Sequence, residues 1–181
     1  RKLMEEEVKV STSEMLKSAS MNGVYVSLVP IVIAVLIFVM NPSFIMMGVL
    51  GILSFILTYI LVVVLSIKYR KEKLDNRMKY ADALVYTLVV GLVASIISSV
   101  FSAFYQYVID PSYIDSMAVR MQNFMEAQNV PQAQVDEAID EIMKAKEVGA
   151  FLVSQLKSIL IFNLLIILFA PLFVKKSAPV F

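Results

Sequence analysis

The sequence predicts an all-α, polytopic membrane protein: four transmembrane helices in an antiparallel bundle, with an extramembrane helical hairpin between helices three and four. Hydrophobic residues make up 59% of the 181 residues, and the mean hydropathy of +0.78 lies above that of soluble domains. Stretches at 23–40, 44–67, 81–109 and 151–174 carry at most one charge each. At about 1.5 Å per residue they match a hydrocarbon core of about 30 Å. The charged residues between them sort by loop, as expected of a chain threaded through a bilayer.

Composition also excludes chemistry. The chain has no Cys and no His, so it lacks a thiolate, the commonest general base and the commonest metal ligand. A net charge of +1 gives no nucleic-acid footprint. No cofactor or metal is expected, and an enzyme is the least favoured class. The chain begins with Arg1 rather than Met, so further residues are expected before it.

Residues 1–22 are polar and mixed in charge. Ser11 and Glu14 have capping-box spacing, so a helix is expected to start there and enter the membrane, with Met15, Ala19, Asn22 and Val26 on one face. The long lead and the lack of a small-residue cleavage site favour an uncleaved first span over a signal peptide. Pro30 should kink that span. Asn41-Pro42-Ser43 is a turn signal, so spans one and two form a tight hairpin. Span two places Gly48, Gly51, Ser54 and Thr58 toward one side, a close-packing face suited to meet span three.

Lys68, Arg70, Lys71, Lys73, Arg77 and Lys79 crowd the next loop. Span three carries Ala83, Thr87, Gly91, Ser95, Ser99 and Ala103 at every fourth position, a shallow ridge on one side of a helix. Its end at Tyr105, Gln106 and Tyr107 reads as an aromatic anchor. Beyond it, Ile114, Met117, Met121, Phe124 and Met125, then Val135, Ala138, Ile139, Ile142 and Met143, recur at helical spacing. Asn129 and Pro131 break the two apart, Asn129 as a cap and Pro131 near the first turn of the second helix. Asp110 is expected to cap the first of these helices, opened by Pro111. In span four, Pro171 bends the last turn, and Pro179 keeps the tail from continuing it.

Four basic residues precede span one, six lie between spans two and three, and two follow span four, whereas the Asn41 turn has none. The segment 110–149 has three against eight acids. The positive-inside rule therefore puts both termini and the basic loop in the cytoplasm and the acidic hairpin outside. This divides the chain into an N-terminal cytoplasmic segment at 1–22, a membrane domain at 23–174 that includes the hairpin at 110–149, and a cytoplasmic tail at 175–181.

Each polar feature has two readings. The ridge of Thr87, Gly91, Ser95 and Ser99, with Ser98 and Ser102 beside it, is either a packing face or a polar path for a solute, and packing is favoured because no ionisable residue lies beside it. Asn163 is expected to bond a span-three hydroxyl rather than a substrate. Lys157 either snorkels to the outer interface or meets a lipid phosphate or Asp110. Tyr69 and Arg70 are expected at anionic lipid headgroups. The run Asp136, Glu137, Asp140 and Glu141 lacks the alternating ligands and turn glycine of an EF-hand and reads as a solvated face.

Tyr69-Arg70, the run Met78-Lys79-Tyr80-Ala81-Asp82-Ala83, Val90-Gly91-Leu92 and Tyr107-Val108-Ile109-Asp110-Pro111 resemble an uncharacterised family known as domain of unknown function 4199. That family comprises small four-span inner-membrane proteins, mainly of Bacteroidetes. The resemblance extends over 23–174 and is most specific at 69–143. It implies a bacterial inner membrane with the hairpin in the periplasm, and no activity. The expected function is that of a non-enzymatic accessory or scaffold subunit of a membrane complex, in lipid-linked sugar or envelope assembly. The alternative is a small transporter or lipid-handling protein using the span-three polar line with Asn163 and Lys157. Expected partners are membrane lipids and either another integral membrane protein or further copies of the chain.

Overall fold

A computed structural model describes residues 11–176. Its regular structure is helical: α1 (Thr12–Met40), α2 (Phe44–Lys73), α3 (Tyr80–Phe104, continued by a π-helical turn Tyr105–Ile109), α4 (Tyr113–Ala127), α5 (Gln132–Lys144) and α6 (Val148–Val174). Helices α1, α2, α3 with its π turn, and α6 are long and apolar enough to cross a membrane. The chain is thus a helical, multi-pass membrane protein, with α4 and α5 forming the hairpin between the third and fourth spans.

Local signals account for the helix ends. Ser11 accepts from the Glu14 amide at 3.2 Å and its own amide donates to Glu14 Oε2, so the capping box opens α1. Asn41 closes α1 in the left-handed region at φ 45°, which Asn tolerates, and Ser43 caps α2. Asn129 likewise turns the hairpin at φ 55°.

As the capping box predicts, α1 begins at Thr12, so 12–22 is one helix with the first span. Other boundaries differ from expectation. Residues 1–10 and 177–181, which include Pro179, lie outside the described residues. α2 runs to Lys73, so Lys68, Arg70, Lys71 and Lys73 belong to its final turns, where the helix dipole favours cations. Pro131 is the N-cap of α5, next to its first turn as expected. Asp110 does not cap α4: its Oδ1 accepts from the Ser112 amide at 3.1 Å and the Ser112 hydroxyl at 2.6 Å, holding a turn before the helix.

α3 is central and packs most extensively against α1 and α6. Much of the core is small or β-branched, Ala19, Val26, Ala83, Val90, Ala94 and Ala170, joined by Tyr69, Tyr86 and Ile166, while many large residues such as Leu160 and Phe173 face outward. Lipid tails are as apolar as leucine, so large aliphatic side chains gain little by turning inward, and small ones let backbones approach. On α1, Gly23 meets α3: a Cβ there would lie 2.6 Å from Val93 Cβ and 2.9 Å from the Val90 carbonyl oxygen.

Both ends of the bundle are tied. At the basic end, Met78 and Lys176 exchange backbone hydrogen bonds of 3.0 and 2.9 Å, joining the α2–α3 loop to the end of α6. At the hairpin end, Arg120 of α4 donates to the Pro42 carbonyl at 2.9 Å and to Asn41 Oδ1, while Phe124 packs on Phe44. The Gln106 amide and Tyr107 hydroxyl both donate to the Ala145 carbonyl, at 2.7 and 3.2 Å.

Gly23→Ala should destabilise the bundle by about 1–3 kcal/mol through overpacking. Gly48→Ala, where nothing lies within 4 Å, should be neutral or slightly stabilising. Thermal unfolding in mild detergent distinguishes the two.

Candidate functional site

The span-three ridge divides along its length. Toward the basic end Ala83, Thr87 and Gly91 are buried, and the Thr87 hydroxyl donates to the Ala83 carbonyl of its own helix at 2.9 Å. A Cβ at Gly91 would strike Ile166 and lie 2.6 Å from Asn163 Oδ1, both on α6. Asn163, 4% exposed, donates to Ser95 Oγ at 3.2 Å and to the Ile159 carbonyl at 2.8 Å. The expected interhelical bond from Asn163 is therefore formed, and this half of the ridge is a packing face.

Toward the hairpin end the same ridge opens into a cavity of about 410 Å³. Its walls come mainly from three helices, through Gly51, Ser54, Phe55 and Thr58 of α2, Ala94, Ser95, Ser98, Ser99 and Ser102 of α3, and Gln155, Ser158, Ile159, Ile161 and Phe162 of α6; a fourth helix, α1, adds Pro30. Phe55 and Phe162, in edge contact at 5.4 Å, join α2 to α6 at its wall. The hydroxyls of Thr58, Ser95 and Ser98 donate to carbonyls one turn back, at 2.6–2.8 Å, which leaves their lone pairs to accept. Ser54, Ser99, Ser102, Gln155 and Ser158 have no side-chain partner among the described residues. No charged residue lines the space.

The glycines of α2 are not the close-packing face expected of them. Nothing lies within 4 Å of a Cβ at Gly48 or Gly51, because α2 stands away from α3 at this level and Gly51 faces the cavity. Gly23 and Gly91 are the intimate contacts instead. Gln155 and Ser158, which sequence reasoning missed, were signalled by their spacing of three on an apolar span that also carries Asn163.

Tyr69 and Arg70 are buried rather than placed at headgroups. Tyr69 stacks on Tyr86 with ring centroids 4.3 Å apart, and the Tyr86 hydroxyl meets Asn22 Nδ2 at 2.7 Å and Ser18 Oγ at 3.1 Å. Arg70, 7% exposed, donates to the Val174 carbonyl at 2.5 Å and Asn76 Oδ1 at 3.1 Å, so its charge serves the C-terminal end of α6. Lys157 is exposed on α6 and forms no ion pair among the described residues, so it does not meet Asp110.

Outside the spans, burial raises the Tyr113 phenol above its ordinary value; nearby Arg120 pulls it down and Asp110 pushes it up. The Lys144 ammonium is raised by its hydrogen bond to Glu141. Asp115 pairs with Lys146 at 2.6 Å, which closes the hairpin. Among the described residues no three acidic side chains come together as a metal-binding group. The expected solvated face on α5 holds, with Asp136, Glu137, Asp140 and Glu141 all exposed.

A family model described as a protein of unknown function (DUF4199) matches residues 21–176. No curated protein and no solved structure matches the chain.

The packing half of the ridge carries its own test. Gly91→Leu should prevent a stable bundle, because α6 must move to admit the side chain. Ser95→Ala removes one interhelical hydrogen bond and should cost only about 0.6 kcal/mol. Yield and thermal unfolding of the purified variants read both.

Proposed function

The chain belongs to the DUF4199 family of proteins of unknown function, and we propose that it is a non-enzymatic protein of a bacterial inner membrane that holds a lipid or other small molecule within its helical bundle. The cavity of about 410 Å³ carries this reading. A bundle built only to pack would close its hydroxyls against neighbouring helices, whereas here polar groups from α2, α3 and α6 converge on open space in the half of the membrane near the hairpin. The volume falls within the range of small-molecule sites. The absence of His and Cys from the whole sequence supports a binding rather than a catalytic role.

A second reading, as an accessory subunit of a membrane complex, is favoured by one observation. Gly48 on α2 has nothing within 4 Å of a Cβ, so a helix of another protein or a second copy finds room there for close approach. The two readings are compatible, since Gly48 lies one turn beyond Gly51 at the cavity wall.

In this proposal both termini and the basic loop are cytoplasmic, and the α4–α5 hairpin is periplasmic, supported by the basic residues gathered at one end of the bundle and the acidic excess of the hairpin. The native chain has no Cys, so single cysteines report topology cleanly. Gln128→Cys should react with a membrane-impermeant maleimide on intact cells whose outer membrane has been made leaky. Lys73→Cys should react only after the inner membrane is opened, and the reverse pattern would invert the topology.

The binding role is tested by extracting the protein with its native lipid surround and comparing retained molecules by mass spectrometry in wild type and Gly51→Leu. A molecule retained at near one per chain in wild type and lost in the variant is expected. Equal retention by both would remove the cavity as the site.

A further inference from the structure

The lining of the cavity specifies its ligand by charge and by hydrogen bonding. Every polar group on the wall is neutral: hydroxyls of α2 and α3, and the amide of Gln155 and hydroxyl of Ser158 on α6. Lys157, the nearest charge on α6, is exposed and is not among the lining residues. A phosphate or carboxylate brought here would lose its hydration with no counter-charge to replace it, and an ammonium would fare no better.

Five lining groups, Ser54, Ser99, Ser102, Gln155 and Ser158, have hydrogen-bonding capacity that the protein does not use. In the hydrocarbon region no bulk water competes for them, so a ligand that satisfies them gains more than it would at an aqueous surface. Thr58, Ser95 and Ser98 already spend their protons on carbonyls of their own helices and present only acceptor lone pairs, one of which on Ser95 is taken by Asn163. The wall therefore offers acceptors throughout and donors from Gln155 and the unpaired serines, a pattern that suits a group able both to donate and to accept. A hydroxyl is the simplest such group. Phe55, Ile159, Ile161 and Phe162 supply apolar wall beside these positions, which suits a ligand whose remainder is hydrocarbon.

Resting on the binding role proposed above, we infer that the cavity selects an uncharged, hydroxyl-bearing lipid, with the hydroxyl held among Ser99, Ser102 and Gln155 and the hydrocarbon against Phe55, Ile159, Ile161 and Phe162. Selectivity against anionic lipids follows from the neutral wall, and selectivity against lipids lacking the hydroxyl follows from the unused donors and acceptors.

The full chain in phosphatidylcholine nanodiscs is exposed to three probes with the same photoreactive acyl chain: a diacylglycerol, its methyl ether and the corresponding phosphatidic acid. Labelling of α2, α3 and α6 is mapped by peptide mass spectrometry. The diacylglycerol should label the cavity walls at a concentration about tenfold lower than either competitor. Ser99→Ala combined with Gln155→Met should abolish the preference over the methyl ether. Gly51→Leu should remove labelling by all three probes; its new side chain enters open space, so an unchanged melting temperature is expected. Ser54→Leu provides a second filling variant should Gly51→Leu fold poorly.

Phosphatidic acid that labels as well as diacylglycerol, in a manner blocked by the filling variants, would overturn the selectivity and leave the binding role standing. Equal labelling by the methyl ether would overturn the hydroxyl assignment alone. No labelling blocked by either filling variant, with any probe, would remove the binding role itself.

Discussion

Inside a bilayer, apolar side chains gain nothing by leaving lipid for protein, so helices stay together only where their backbones approach closely and their polar groups find one another. α3 meets that constraint on two sides. It receives Gly23 of α1 against Val90 and Val93, and it offers its own Gly91 to Ile166 and Asn163 of α6. These glycine contacts set how near α1 and α6 can come, and the rest of the bundle is arranged around the distances they allow. The Asn163 bond to Ser95 then gives the α3–α6 pairing a register that van der Waals contact alone would specify weakly.

The same constraint explains why one helical ridge has two environments. Near the basic end α6 lies tightly on α3, and Thr87 satisfies itself by bonding back to its own helix. Nearer the hairpin, α2 stands off from α3 and the row of serines faces space. Nothing in the residue types distinguishes Ser99 from the packed positions below it. What differs is the presence or absence of a helix opposite.

The two ends of the bundle are held by different means. At the basic end a buried guanidinium, Arg70, takes the Val174 carbonyl at the end of α6 and the Asn76 side chain, and a backbone bridge from Met78 to Lys176 completes the tie. Tyr69, Tyr86, Asn22 and Ser18 form a polar and aromatic cluster just above it. At the hairpin end the links are side chains reaching to turns, Arg120 to the α1–α2 turn and Gln106 and Tyr107 to Ala145. Gln106 and Tyr107 lie within the π-helical turn Tyr105–Ile109, whose wider ring shifts these residues and those after it relative to a continuous α-helix.

The sequence by itself determined the four long apolar helices, the capping box at Ser11, the turn at Asn41, the hairpin between the last two spans and the family. Each is written in local periodicity, in capping chemistry or in a run of residues, and none requires knowing what lies opposite. It also marked the ridge and Asn163 as polar features of the membrane interior. Only the tertiary structure decided which glycines are contacts, since Gly48 and Gly51 look as suited to close packing as Gly23 and Gly91 until the neighbouring helix is in place. It likewise turned Tyr69 and Arg70 inward, because the end of α6 and the face of Tyr86 supply partners far away in sequence. The cavity belongs to the same class: it is a property of the distances between three helices, and no single helix records it.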